Sequence, residues 1–301
     1  MRVFVATAND DGRRVDAFFA RLMPAMPKGL LYKYIRTGKI KVNGKKPKPE
    51  TRLAAGDEVR YFGDDALLPV GPAAPPRAGD ITVLYEDEHI ALLYKPVRMA
   101  SQPDARHTAD TLVDRFLWYL YKKGAYVPEN TFRPALCNRL DYNTHGLVIG
   151  AKTAAGLRAM NEKIRTRKVR KLYLCRVEGT PDPPRGRISA ALVKDGKTNV
   201  SHVGKEGKAA ETGYRTLSAD GRTSLVEAEL FSGRSHQIRV HMASIGCPLV
   251  GDPKYGHGGD GQDLCAWRVQ FAFRPEGGVL DGLAGKTFTL PESFLKGDEN
   301  E

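Results

Sequence analysis

The sequence predicts an α+β chain in which a small basic module is followed by a proline-rich connection and a larger domain. Between residues 13 and 62, apolar residues recur first at helical spacing and then in alternation, as expected for short helices followed by strands. Further along, helical spacing at 157–164 gives way to alternation at 170–177. The length that remains after residue 80 is sufficient for a large hydrophobic core.

The amino-terminal module, residues 1–63, is predicted to contain two helices and at least two strands. Helical spacing relates Val15, Phe18, Phe19 and Leu22, and a second set consists of Leu30, Leu31, Tyr34 and Ile35. Residues 39–45 then alternate into an Asn-Gly turn, and residues 58–62 supply another strand.

Most of the net positive charge lies in this module. Residues 13–62 contain 13 Lys and Arg against 4 Asp and Glu, a net +9 of the chain's +12. With a pI near 9.5, such clustering favours nucleic acid over a membrane surface as the partner. The predicted contacts to phosphate are Lys33, Arg36, Lys39, Lys41, Lys45 and Lys46. A solvated charged face is the alternative for Lys41, Lys45, Lys46 and Lys48.

Residues 64–80 are rich in Pro, Gly and Ala and are predicted to form a semi-rigid linker. The prolines are Pro69, Pro72, Pro75 and Pro76. The larger domain is placed at 81–292, followed by a polar tail at 293–301.

Two segments of the larger domain indicate chemistry. Arg139 and Asp141 precede the apolar run 147–149, which is predicted as a buried strand, so both lie in a loop at its amino-terminal end. Taken alone, this pair could equally be a structural ion pair. Residues 233–241 alternate and are predicted as a second strand, with Gln237, Arg239 and His241 on one face.

These segments resemble the RluA-type family of RNA pseudouridine synthases. The resemblance rests on the loop Arg139 to Gly146 and on the segment 233–241. It is extended by residues 94–96, 171–173 and the Gly-Asp turn at 246–252. The amino-terminal module resembles the S4 RNA-binding domain, which makes it a small α/β S4-like module.

The resemblance implies a mixed, largely antiparallel β-sheet catalytic domain flanked by helices, and isomerisation of uridine without a cofactor. It implies that Asp141 is the catalytic carboxylate, that Arg239 is its ion-pair partner and that Tyr173 packs against the target base. A core aromatic is the alternative for Tyr173. The further substrate-binding residues are Arg139, which would help to turn out the uridine, with Thr144, Arg234, His236 and Gln237.

Two positions depart from the common family pattern, which has His before Arg-Leu-Asp and Ser in Thr-Ser-Gly. This chain has Asn138 and His145 there. His145 is interpreted as a loop residue that tunes RNA contacts or is solvated. A further basic stretch at 163–171 either lines the RNA approach or is a solvated helix end, and the sequence does not separate these two.

Neither a metal nor a disulfide is expected. The residues Cys137, Cys175, Cys247 and Cys265 show no Cys-x-x-Cys spacing, and His236 and His241 fall on opposite faces of the predicted strand. No signal peptide or membrane span is visible, so a cytoplasmic enzyme is predicted. The sequence does not reveal the oligomeric state, for which a monomer is the default expectation.

The favoured substrate is large-subunit ribosomal RNA, because of the basic module, with transfer RNA as the alternative. Two other functions remain open. The chain could be an inactive RNA-binding ribosome-assembly factor, or a glycoside hydrolase that uses Asp141 together with a second carboxylate.

Overall fold

The computed structural model describes residues 1–67, 74–105, 107–127, 132–196, 198 and 200–294. Its helices are α1 (Val15–Leu22), α2 (Lys28–Arg36), α3 (Leu112–Lys122), α4 (Ala154–Arg165) and α5 (Gln237–Ser244). None of them is long and apolar enough to cross a membrane. Short 3-10 turns lie at Ala8–Asp10, Asp65–Leu67, Asp281–Leu283 and Glu292–Phe294.

The strands, in chain order, are as follows. The amino-terminal region has β1 (Arg2–Val5), β2 (Ile40–Val42) and β3 (Glu58–Tyr61). The remaining strands are β4 (Thr82–Glu86), β5 (Ile90–Lys95), β6 (Ala135–Leu136), β7 (His145–Ala151), β8 (Val169–Glu178), β9 (Arg185–Ser189), β10 (Leu192–Asp195), β11 (Val200–Val203), β12 (Glu211–Ala219), β13 (Thr223–Leu230), β14 (Leu264–Phe271) and β15 (Thr287–Thr289).

The amino-terminal region forms helices α1 and α2 and a three-stranded antiparallel sheet of order β1-β3-β2. Both predicted helices are confirmed, and their apolar residues form one core with Val59 and Tyr61 of β3. Asn43 and Gly44 both have positive φ and make the predicted turn after β2. The sequence interpretation missed β1, which pairs with β3 along the opposite edge from β2.

The larger region is built on a ten-stranded sheet of order β4-β5-β7-β14-β8-β13-β12-β9, with β6 paired to β7 and β15 to β14. All its pairs are antiparallel except β7 with β14, which are parallel. The predicted mixed, largely antiparallel sheet is therefore confirmed. Strands β10 and β11 form a separate hairpin.

Helices cover both faces of this sheet. On one face, α3 and α5 pack against Ala91, Leu93 and Val148, and on the other α4 packs against Leu92 and Ile149. Alternate residues of β5 and β7 thus enter different cores, which explains why both strands are buried throughout and largely apolar. The prediction of a buried strand at 147–149 is confirmed.

The two regions touch at the start of α4. The side-chain oxygen of Asn9 accepts a hydrogen bond from the backbone N–H of Ala154 at 2.9 Å, one of the donors that a helix leaves unpaired at its first turn. Of the predicted linker, residues 68–73 lie outside the described residues, including Pro69 and Pro72. At its far end, Gly79 donates to the side chain of Asp110.

Candidate active site

The loop that carries Arg139 and Asp141 connects β6 to β7, at the centre of the large sheet. It enters β7 through Gly146, whose φ is +123° and where a Cβ would lie 2.4 Å from the backbone oxygen of Ala266 on β14. Only glycine accommodates both the backbone conformation and this close approach. The glycine of the motif therefore lets β7 pair in parallel with β14 directly beneath the loop.

Hydrogen bonds fix the loop on both sides of Asp141. The Ser101 hydroxyl donates to the carbonyl of Leu140 at 2.9 Å and accepts from its N–H at 3.0 Å. The Thr144 N–H donates to the carbonyl of Asp141, and the Gln262 amide donates to the Thr144 hydroxyl at 3.0 Å. The loop is thus held as rigidly as the sheet below it.

Lys95, at the end of β5, lies completely buried beneath this loop. Its Nζ donates to the carbonyls of Pro96, Met99 and Tyr142 at 2.8, 2.7 and 3.1 Å. Burial lowers the pKa of Lys95 to about 7, while the charge of Asp141 opposes that shift. Three acceptors match the three hydrogens of an ammonium group, so Lys95 in its protonated form joins the carbonyls of Pro96 and Met99 to that of Tyr142 in the loop.

Arg239 joins two carboxylates. Its Nε and Nη2 donate to the two oxygens of Asp252 at 2.7 Å each, and its Nη1 donates to Oδ2 of Asp141 at 3.2 Å. The side chains of Arg239 and Asp252 are 5% and 0% exposed, whereas that of Asp141 is 31% exposed. Asp252 therefore anchors the guanidinium, and the guanidinium orients a carboxylate that a ligand can still reach.

The electrostatics of the buried pair Arg239 and Asp252 favour the charged form of both side chains. Burial works against the charge of Arg239, but the hydrogen bonds and charge of Asp252, aided by Asp141, raise the pKa of Arg239. Burial likewise opposes ionisation of Asp252, and Arg239 lowers the pKa of Asp252 below its usual value. Each charge is retained in the interior because its partner is there.

The prediction of a strand at 233–241 is wrong, because residues 237–244 form helix α5. All of its residues from Gln237 to Met242 are buried, so it has no polar stripe, and the short alternation mimics a strand. In the helix, Gln237 and His241 are four residues apart and both contact the Thr212 hydroxyl at 2.9 Å. Arg239 points away from them, toward Asp141.

Tyr173 lies on β8, next to β14 in the sheet, where the sequence predicts a strand. Its side chain is buried among the apolar residues under α3 and α5, and burial raises the pKa of its hydroxyl, with a further contribution from the charge of Asp141. The two alternatives for Tyr173 were a core aromatic and a residue that packs against the target base. Its ring lies in the core and is also close enough to Asp141 for the charge of that residue to affect its hydroxyl.

The other predicted substrate-binding residues differ in exposure. Arg139 and Arg234 are exposed, and Arg234 donates to the Ala209 carbonyl at 3.1 Å. Thr144 is buried, with its hydroxyl bonded to Gln262. The amide of Gln237 accepts from Ser232 and Arg234 and donates to Glu211 and Thr212, so it supports the site rather than facing a ligand. A substrate contact by Gln237 is therefore not favoured.

The interpretation of His145 as a solvated loop residue is wrong. It is the first residue of β7, is 5% exposed and packs its ring edge-to-face on Tyr94 with the centroids 6.5 Å apart. Its position in a run of seven buried residues explains this, since β7 is enclosed on both faces.

Several residues around Asp141 were missed by sequence reasoning. Tyr142, the residue after Asp141, is 40% exposed, and its ring stacks on that of His107 with the centroids 4.3 Å apart. Lys95 and Asp252 lay within motifs but received no role, and Tyr255 was not considered. A charged residue inside an apolar strand, as at Lys95, is the one signal that could have drawn attention to the site.

The predicted RNA-binding cations lie on the surface of the amino-terminal region. Lys33, Arg36 and Lys46 line one concave surface together with Lys48. Lys39 lies over the ring of Tyr34 at 4.8 Å, and Lys41 lies over Phe62 at 5.6 Å. Lys45 is exposed in the turn after β2.

In the part of the chain that the structure describes, no group of three or more His, Cys, Asp or Glu is placed to hold a metal ion. The four cysteines are free thiols, and three of them are buried.

Comparison with known proteins shows the family to which this chain belongs. A family model described as RNA pseudouridylate synthase matches residues 89–244, and a model of the S4 domain matches residues 13–59. The chain is 32% identical over 264 residues to ribosomal large subunit pseudouridine synthase C of Escherichia coli (strain K12), covering 85% of this chain and 80% of the relative. Ribosomal large subunit pseudouridine synthase D of Xanthomonas campestris is also 32% identical, with coverage of 85% and 75%.

Solved structures show the same fold. Human RNA pseudouridylate synthase domain containing 4 matches with a TM-score of 0.56 and 20% identity, covering 71% of this chain and 90% of that chain. Human RNA pseudouridylate synthase domain containing 1 matches with a TM-score of 0.55 and 21% identity, covering 72% and 85%. The chain belongs to the RNA pseudouridylate synthase family, and the family and fold predicted from the sequence are confirmed.

Proposed function

We propose that this protein isomerises uridines to pseudouridines in large-subunit ribosomal RNA, with Asp141 as the reacting carboxylate. The observation that carries the proposal is the placement of Asp141. It is a partly exposed carboxylate on a rigid loop, oriented by a buried arginine whose other side is fixed by Asp252. The ribosomal substrate is supported by the names of the two relatives and by the basic S4 domain.

The reaction requires a group that can act on the flipped-out nucleotide. The bond between N1 of uracil and C1′ of ribose breaks, a bond between C1′ and C5 forms, N1 gains a proton and C5 loses one. Asp141 either attacks the sugar or ring as a nucleophile or removes a proton at the ribose, and both routes need an ionised, well-placed carboxylate. The bidentate anchoring of Arg239 on Asp252 supplies that placement.

The remaining roles follow the same geometry. Tyr173, buried beside the site, is proposed to pack against the target base, and exposed Arg139 to occupy the space that the uridine leaves. Arg234 and Thr144 are proposed to contact the nucleotide or support that contact. No cofactor or metal is part of the proposal.

A glycoside hydrolase is not supported. The carboxylate that shares a guanidinium with Asp141 is Asp252, which is fully buried, and both its oxygens accept from Arg239. The pKa of Asp252 is lowered, so it holds no proton to donate to a leaving group.

The amino-terminal region, placed at 1–63, is proposed to bind a part of the RNA that is distant from the reacting uridine. Its exposed cations on the concave surface of Lys33, Arg36 and Lys46 suit a phosphate backbone. The segment 64–80 is proposed to connect it to a catalytic domain at 81–292. A monomer acting in the cytoplasm remains part of the proposal.

The test is a pseudouridine map of ribosomal and transfer RNA from cells that lack the protein, complemented with wild type, Asp141→Asn or Asp80→Asn. Asp80 is an exposed carboxylate paired with Lys122 and serves as the matched control. Ribosomal sites restored by wild type and Asp80→Asn, but not by Asp141→Asn, are the expected result. Loss of pseudouridine only from transfer RNA would overturn ribosomal RNA as the proposed substrate. Unchanged maps would favour a protein that binds RNA without modifying it.

A further inference from the structure

His236 has a strained backbone at the edge of the candidate site. It immediately precedes α5 and has φ 55° and ψ 23°, the left-handed region that residues other than glycine rarely occupy. Its side chain is 8% exposed, and its Nε2 lies 4.0 Å from Oδ2 of Asp141. Such strain is commonly retained where a side chain must be aimed at a ligand.

A hydrogen-bond relay determines which nitrogen of His236 carries the proton. The backbone N–H of Ser201 donates to the Tyr255 hydroxyl oxygen at 2.7 Å, and that oxygen lies 2.7 Å from Nδ1 of His236. Among the residues that the structure describes, Ser201 and His236 are the two hydrogen-bond partners of this hydroxyl, and the Ser201 N–H can only donate to it, which leaves the hydroxyl hydrogen for Nδ1. The hydroxyl therefore accepts from Ser201 and donates to His236.

This direction leaves the ring hydrogen of neutral His236 on Nε2. The Nε2–H then faces the carboxylate of Asp141, whereas the opposite tautomer would place a lone pair against it. A separation of 4.0 Å is too long for a hydrogen bond, so the Nε2–H is available to an acceptor that lies alongside Asp141.

Burial favours a neutral ring for His236. Burial lowers the pKa of His236 to about 4; Asp141 and Asp252 oppose this shift, and Arg239 and Lys254 add to it. Tyr255 remains a donor because burial raises the pKa of its hydroxyl. The Tyr255 ring is itself held by the guanidinium of Arg239, 5.0 Å from the ring centroid.

We propose that His236 donates a hydrogen bond from Nε2 to an oxygen of the target nucleotide beside Asp141, and that Tyr255 is the positioning residue that fixes the ring for this contact. The proposal rests on the proposed function, because it takes the space next to Asp141 as the uridine site. His236 thus stabilises the bound nucleotide without exchanging a proton with it.

The tautomer can be measured without any activity. Nuclear magnetic resonance of protein labelled with ¹⁵N in its histidine rings is expected to show His236 neutral, protonated on Nε2, at neutral pH. Tyr255→Phe, which removes only the hydroxyl, is expected to give a mixture of tautomers. A wild-type ring protonated on Nδ1, or on both nitrogens, would overturn the relay.

Kinetics test the donor role. His236→Gly suits the left-handed backbone and removes the donor, and it is expected to lower kcat/KM about tenfold. His236→Asn, which also tolerates this backbone and keeps an N–H, should recover part of the loss. Tyr255→Phe should lower kcat/KM by a smaller factor. Tyr85→Phe, which loses a hydroxyl bonded to Asp87 away from the site, is the matched control and should retain wild-type values.

Wild-type kcat/KM in His236→Gly would overturn the donor role while leaving the proposed function intact. A wild type that forms no pseudouridine would instead overturn the proposed function and, with it, the nucleotide as the ligand of His236. The resonance experiment separates the two failures, because it reports the relay in either case.

Discussion

The active-site region and the amino-terminal region both depend on positive charge, but they hold it in opposite ways. The side chain of Arg239 is 5% exposed and is fixed by two carboxylates. Lys33, Arg36 and Lys46 are exposed, and within the described chain none of them forms an ion pair. A buried, paired cation determines geometry, whereas exposed cations remain available to neutralise phosphate.

A third basic segment sharpens this comparison. In the stretch 163–171, Lys163 and Lys168 both pair with Glu276, and Arg165 pairs with Glu162. These three cations thus have carboxylate partners within the protein, although Lys163 and Lys168 share one carboxylate. Of the two interpretations left open by the sequence, a helix end that does not bind RNA is the one these ion pairs favour.

Among the variants that test this comparison of buried and exposed cations, the largest effect is expected from Arg239→Lys. An ammonium group cannot bond both oxygens of Asp252 and also orient Asp141, so the variant should fold but react about 100-fold more slowly. Single-turnover rates and thermal unfolding would be measured together. Normal turnover in this variant would contradict the proposal that the guanidinium of Arg239 must orient Asp141.

Asp252→Asn is expected to destabilise the fold by about 3 kcal/mol, because it removes the charge that balances buried Arg239. Since the pKa of Asp252 is lowered in the folded state, its ionised form stabilises the fold above the unfolded pKa of about 3.9. That contribution is lost as pH falls through the folded pKa, so the difference between wild type and variant should narrow toward acid pH.

Denaturant unfolding of both proteins, from neutral pH to about pH 3, would measure this difference. Asp263→Asn is the control, since Asp263 pairs with Arg176 while half exposed, and should change stability by less than about 1 kcal/mol. A constant difference between wild type and Asp252→Asn across the range would show that the charge of Asp252 is not what matters.

A smaller effect, on binding alone, is expected when Lys33, Arg36 and Lys46 are all changed to Gln. RNA affinity should fall about tenfold and the slope of log affinity against log salt should decrease by about 2 to 3, with little change in rate at saturating enzyme. Changing Lys163, Arg165 and Lys168 to Gln alters the net charge equally, yet should have less effect because these cations are paired. Equal losses in both triple variants would mean that only net charge counts.

The sequence predicted those parts of the fold whose periodicity is set by one buried face. Helices α1, α2 and α4 have such patterns and were recognised, whereas strand β7 was recognised from its continuous apolar run, which is typical of a strand enclosed on both faces. Helix α5 was mistaken for a strand because it is buried on all sides, so its polar residues reflect specific partners rather than an exposed face. Those partners are Thr212 on β12 and Asp252 in the turn after α5, and no local sequence pattern reveals these contacts.

The candidate site was predicted only in part, because some of its residues belong to sequence motifs and others are defined only by contacts across the fold. Asp141 and Arg239 belong to motifs, and the structure brings them to 3.2 Å although they are 98 residues apart. Lys95, Asp252 and Tyr255 acquire their meaning only from contacts made across the fold. Lys, Asp and Tyr are common on protein surfaces, and apart from the position of Lys95 in an apolar strand no local pattern indicates that these three residues are partly or fully buried beside Asp141.

The most direct test of the central claim follows tritium release from uridine labelled at C5, using unmodified large-subunit ribosomal RNA and purified protein in single turnover. Wild type should release tritium, since the new glycosidic bond replaces hydrogen at C5. Asp141→Asn should bind the same RNA with unchanged affinity and release none. Release by Asp141→Asn at the wild-type rate would contradict the claim that this carboxylate performs the reaction.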